Sequence, residues 1–117
     1  KQAVCISTAA GAGTKSTNKD IADSFFFWGI PKIYKYGVNV RATSYKGISE
    51  NTLKAIDKKT TALAKKIKAK DGKVKVGIKT KAFFELMRII QRKSDWNEAD
   101  TDYWHNKGWD GKKRPWK

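Results

Sequence analysis

Apolar and β-branched residues run almost unbroken through Gln2-Ala3-Val4-Cys5-Ile6-Ser7, and a short continuous run of this kind predicts a strand buried on both faces. The period then lengthens: Ile21, Phe25 and Trp28 recur at 4-then-3 spacing, with Phe26 and Ile30 widening the face. That is a helix, with Ser16 or Thr17 as its cap and Gly29 and Pro31 ending it. Lys32–Val40 is rich in β-formers and predicts a second strand, in which Gly37 marks a bulge or a close approach. From Ser49, a suitable N-cap, a helix is expected to about Lys70, with Leu53, Ile56, Thr60, Leu63 and Ile67 on one stripe and Asp71-Gly72 closing it. A further helix fits Thr80–Lys93, with Phe83, Met87 and Ile90 on its stripe and Phe84, Leu86 and Ile89 beside it. From Asp95 onward one short helical turn is expected near Thr101–Asn106.

Strand, helix, strand is the order that implies parallel pairing. The fold class is therefore α/β: two parallel strands, two long flanking helices, a further C-terminal helix and a Trp-rich tail. The chain reads as one partial domain over residues 1–117, with a core at 1–94 and a wrapping tail at 95–117. Two strands cannot cover the run Phe25-Phe26-Phe27-Trp28, so something else must pack there. The occupant is a missing N-terminal half, a second copy of the chain in a homo-oligomer, or the tail folding back.

The tail holds four of the five tryptophans. It reads most simply as a segment whose indoles cover a helix, and its rings also suit a pocket or a subunit interface. Length and chemistry narrow the picture further. At 117 residues and 13.2 kDa the chain is one small domain, and no apolar run approaches the roughly 18 residues that span a bilayer. Cys5 is the single cysteine, so no internal disulfide or thiolate zinc site is available; a core thiol in a reducing, cytoplasmic setting is expected. His105 stands alone and carries no metal or acid–base expectation.

The net charge is +15, which points first to nucleic acid. Between Lys54 and Lys81, however, eleven lysines face two acids, a local net of +9, and they surround an apolar stripe with no aromatic residues interleaved for base stacking. A solvated helix surface is the better reading, with a basic nucleic-acid-binding or structural interaction module as the alternative.

The candidate chemistry lies in Ile6-Ser7-Thr8-Ala9-Ala10-Gly11-Ala12-Gly13-Thr14-Lys15-Ser16-Thr17. A phosphate-binding P-loop fails here, because Ala9 and Thr14 stand where its glycines are needed. A dinucleotide fingerprint fails at Ser16. What remains is a small-residue loop at the carboxyl end of a parallel strand, where open α/β sheets bind ligands. Such a loop suits either a flat ring lying against the main chain or an ordinary strand-to-helix turn.

AVCISTAAGAG, STNKDIADSFFFWGIPKIYKYG and DTDYWHNKGW, in that order, resemble the carboxyl-terminal half of flavodoxin-like NADPH-dependent FMN reductases. The resemblance covers nearly the whole chain but half of that family's domain. It implies that the strands are the fourth and fifth of a parallel sheet ordered 2-1-3-4-5, and that the parent protein is a cytoplasmic NAD(P)H oxidoreductase with FMN as cofactor. It also implies that Thr8, Ala9, Ala10, Gly11, Ala12 and Gly13 contact the isoalloxazine ring, with main-chain N–H groups near its pyrimidine oxygens and N1. The alanines at 9, 10 and 12 stand where glycines are common in the family. The phosphate-binding loop belongs to the absent half, so the chain alone is expected to be inactive and to bind FMN weakly.

Overall fold

The computed structural model describes residues 1–93 and 97–117; Trp96 and the expected 94/95 boundary lie outside the described residues. Two parallel strands and four helices follow in the order β1 (Ala3–Ala9), α1 (Thr14–Phe27), β2 (Ile33–Asn39), α2 (Glu50–Ala69), α3 (Ile78–Lys93) and α4 (Glu98–Lys107), with a single 3-10 turn at Tyr45–Gly47. They form two compact units, Lys1–Lys75 and Val76–Lys117.

In the first unit β1 and β2 pair in parallel, from Ala3 opposite Ile33 to Ala9 opposite Asn39. At the ends of the ladder Ala3 N–H donates to the Lys32 carbonyl (3.0 Å) and Val40 N–H to the Ala9 carbonyl (2.8 Å). α1 packs on the face that carries Ser7, whose hydroxyl donates to the Thr14 carbonyl at 3.3 Å. Gly37 lies opposite Ser7. A Cβ at Gly37 would stand 2.6 Å from both Cβ and Oγ1 of Thr14, so only a hydrogen fits beneath the start of α1. Of the two readings of Gly37, close approach is the one observed, since the register passes through it unbroken.

The end of α2 reaches the other face. There Tyr34 donates its hydroxyl to Gln2 Oε1 at 2.9 Å, and Gln2 Nε2 donates to the Ile67 carbonyl at 3.1 Å. Because side chains alternate across a strand, Tyr34 lies on the face opposite Gly37, so α1 and the carboxyl end of α2 meet the sheet from opposite faces.

Glycine sets the ends of α1. The expected cap at Ser16 or Thr17 is corrected: the N-cap is Gly13, at φ 104°, a backbone conformation open mainly to glycine. Ser16 and Thr17 lie inside the first turn and donate their hydroxyls to the Gly13 carbonyl, at 2.9 and 3.1 Å. At the other end Gly29 N–H donates to the Phe26 carbonyl (2.9 Å) and Ile30 N–H to the Phe25 carbonyl (3.0 Å), with Gly29 at φ 73°. This double closure stops the helix. α2 begins as expected, with the Ser49 hydroxyl accepting from Thr52 N–H.

Little of the first unit is fully enclosed. Cys5 and Ala22 are buried, with Asn18 beside them, and the buried Cys5 is the core thiol its sequence context implies. The expectation that the first strand is buried on both faces is corrected at its centre, where Ile6 remains 57% exposed. Two strands only about 4.8 Å apart offer a ledge too narrow to cover both faces fully. Trp28 is 72% exposed as well.

The second unit is organised by Phe84 of α3. Its ring stacks on Trp104 at 4.9 Å between centroids and meets Trp109 and Trp116 edge-on at 5.9 and 5.0 Å. The indoles of α4 and the tail therefore cover a helix around Phe84, as the sequence suggests. Beside this cluster Glu85 accepts from Arg88 Nε at 2.7 Å and from Arg114 through Nε and Nη2. The hydrogen bond from Arg114, reinforced by Arg88 against an opposing effect of burial, holds the Glu85 carboxyl below its ordinary value of 4.5. A depressed folded-state value means that this stabilisation is complete above the ordinary value and is lost as pH falls through the lower one. Near-ultraviolet circular dichroism should accordingly show the indole cluster loosening in acid below the ordinary carboxylate range. Glu85→Gln should weaken the cluster at neutral pH and flatten that acid response; an unchanged acid profile would exclude Glu85 as its source.

Candidate functional site

β1 delivers the loop Ala10–Gly13 to the carboxyl edge of the sheet, and α1 departs from it. Every residue from Ala10 to Gly13 is exposed, and a Cβ placed on Gly11 or Gly13 meets nothing within 4 Å. The space above the main chain is open. From Ala10 to Ser16 no main-chain N–H has a hydrogen-bond partner among the described residues; the first that does is Thr17, donating to the Gly13 carbonyl at 3.1 Å. The first turn of a helix leaves such donors unpaired and carries the positive end of the helix dipole. The loop is thus a bare row of donors backed by partial positive charge, suited to the acceptor-rich edge of a ligand.

The six residues expected at the site fall into distinct environments. Ala10, Gly11, Ala12 and Gly13 form the open row. Ala9 is the last residue of β1, and its carbonyl is occupied by Val40 N–H. Thr8 is exposed at the strand's end. Parallel pairing brings the end of β2 to the same edge, where Arg41 follows with φ 52° and the exposed Tyr45 begins the 3-10 turn. Sequence reasoning missed Arg41, since neither its left-handed backbone nor its place beside the loop leaves a mark on local composition.

Other chemistry lies elsewhere. An open hollow of about 340 Å³, lined by Gln2, Ile67, Lys70 and Asp71 among others, sits between the start of β1 and the end of α2, at the amino end of the sheet. On α2, Lys54 pairs with Glu50 at 2.6 Å, and the lysines from Lys58 to Lys70 are exposed without an acidic partner among the described residues. In the second unit His105 Nδ1 lies 3.0 Å from Asp110 Oδ2, a hydrogen bond that holds the Asp110 carboxyl below its ordinary value. Among the described residues no group of three or more His, Cys, Asp or Glu side chains is placed to hold a metal ion, and no helix is long and apolar enough to cross a membrane. Comparison with family models, with curated proteins and with solved structures finds no match to the chain.

Proposed function

We propose that this chain is the carboxyl-terminal part of a flavodoxin-like, flavin-dependent NAD(P)H oxidoreductase, and that its Ala10–Gly13 loop forms one wall of the flavin site. The observation that carries the proposal is the open row of unpaired main-chain donors at the carboxyl end of a parallel strand. The approach of α1 and the end of α2 from opposite faces, and the surface left uncovered around Ile6 and Trp28, are what half of a doubly wound domain would leave.

The residues present leave room for the ring of FMN. Gly11 and Gly13 leave room for a planar group to approach the main chain, and the N–H groups from Ala10 onward supply donors for the oxygens and N1 of its pyrimidine edge. Bound FMN would supply the hydride chemistry. The chain's own part is to position the ring and, through donors and the α1 dipole, to favour negative charge at that edge. No side chain of the loop carries a proton in this scheme. The resemblance assigns the phosphate to a loop in the other half of the domain, which is why affinity is expected to reside in the longer protein.

The test is to express the protein from its natural reading frame, with whatever precedes Lys1, and add FMN. A yellow holoprotein that oxidises NADPH is expected. A colourless protein with no NADPH oxidation would contradict the proposal.

A further inference from the structure

β1 has one edge against β2 and, among the described residues, no strand on the other. Ala3 donates to Lys32 and Ala9 accepts from Val40, so in the parallel ladder residues 3, 5, 7 and 9 turn their main-chain groups toward β2. Val4, Ile6 and Thr8 turn theirs outward. No described residue bonds to those outward groups. The outer edge of β2 is guarded differently: Lys35 sits mid-strand with Lys32 before it and Gly37 after it, and charge of this kind discourages edge-to-edge pairing. β1 has no such guard. Gln2 to Thr14 contains no Asp, Glu, Lys or Arg, the longest such run in a chain that is 32% charged. Between two copies that each carry +15, this neutral run is where the closest approach costs least.

From this edge we infer that two copies of the chain pair through β1, antiparallel about a two-fold axis at Ile6, to give a four-stranded sheet ordered β2-β1-β1-β2. Ile6 is the midpoint of Ala3–Ala9, so an axis there overlaps the whole strand. Ile6 is also one of the outward-facing residues. It therefore meets its own counterpart as a hydrogen-bonded pair, and Val4 meets Thr8, a residue of the same shape, on either side; the three pairs supply about six new N–H···O bonds. The Ile6 side chain, 57% exposed in the single chain, gains its counterpart as cover. An axis normal to the sheet keeps each face with its like, so both α1 helices lie on one side.

Antiparallel pairing places the two Ala10–Gly13 loops at opposite ends of the new sheet. The dimer does not complete a flavin site, and the inference concerns the 117-residue chain whether or not it binds flavin. The proposed function puts another strand of the same domain on this edge; in the 117-residue chain a second copy takes that place.

Cysteine cross-linking of the 117-residue chain tests the register. Hydrogen-bonded partners in an antiparallel ladder have Cα atoms about 5.5 Å apart, within disulfide range. Ile6→Cys should oxidise rapidly to a covalent dimer, while the wild type, whose Cys5 is 1% exposed, stays uncoupled. Thr61→Cys, on the exposed surface of α2, sets the background rate. In sedimentation, Thr8→Pro removes one outward N–H and should weaken dimerisation about tenfold or more with far-ultraviolet circular dichroism unchanged. Added salt should strengthen dimerisation by screening like charge. A folded wild-type monomer at high concentration, or Ile6→Cys cross-linking no faster than Thr61→Cys, would overturn the inference.

Discussion

Replacing Gly37 with alanine should destabilise the first unit by about 1–3 kcal/mol, the usual cost of inserting a methyl group into filled space. Alanine in a strand would otherwise gain about 0.5–1 kcal/mol over glycine through the unfolded chain. At Gly37 the new methyl would lie 2.6 Å from the Thr14 side chain, in the first turn of α1, so sterics outweigh that gain. Relief requires moving the start of α1, and with it the Gly13 end of the loop. Urea unfolding followed by far-ultraviolet circular dichroism measures the loss. Gly11→Ala is the matched control, since its methyl meets nothing within 4 Å and its stability should stay within about 0.5 kcal/mol of the wild type. Equal stability of the two variants would refute this account of the β2–α1 contact.

The second large effect is expected at Phe84. Its ring touches Trp104, Trp109 and Trp116 at once, so alanine there removes the common neighbour of three indoles. Deleting a buried Phe costs about 3–5 kcal/mol, and Phe84 is only half-buried, which favours the lower end. A unit as short as Val76–Lys117 has few kcal/mol to lose, so Phe84→Ala should abolish its near-ultraviolet signal and shift its tryptophan emission to the red. The helices of the first unit should survive. A preserved near-ultraviolet spectrum would show that the tail is held by something other than this cluster.

Periodicity in the sequence was enough to locate both strands and α1 to α3, because each of these apolar runs has one repeat and a marked end; the 3-10 turn at Tyr45–Gly47 has no such repeat and left no signal. What it missed depended on contacts between elements. β1 runs two residues past Ser7 because β2 continues to Asn39 and holds it; α4 is longer than one turn because the Asn97 side chain accepts from Asp100 N–H. The cap of α1 was misplaced since hydroxyl residues look like caps wherever they fall, whereas the left-handed φ of Gly13 is invisible in composition. An unbroken apolar run likewise shows that a strand can be buried on both faces, and Ile6 shows that burial also needs neighbours to cover it. The candidate loop was legible because its residues are contiguous and small. The commitment of Ala9 to the ladder and the arrival of Arg41 at the same edge depend on β2, and so were not.

The central claim is that the Ala10–Gly13 main chain meets the flavin ring, and FMN titration of the protein expressed from its natural reading frame tests it most directly. Wild type and Gly11→Ala should unfold alike, because the added methyl points into open space. If that space is where the ring lies, Gly11→Ala should bind FMN at least about tenfold more weakly, a loss of about 1.4 kcal/mol. FMN binding of equal strength in both proteins, or none in the wild type, would contradict the claim.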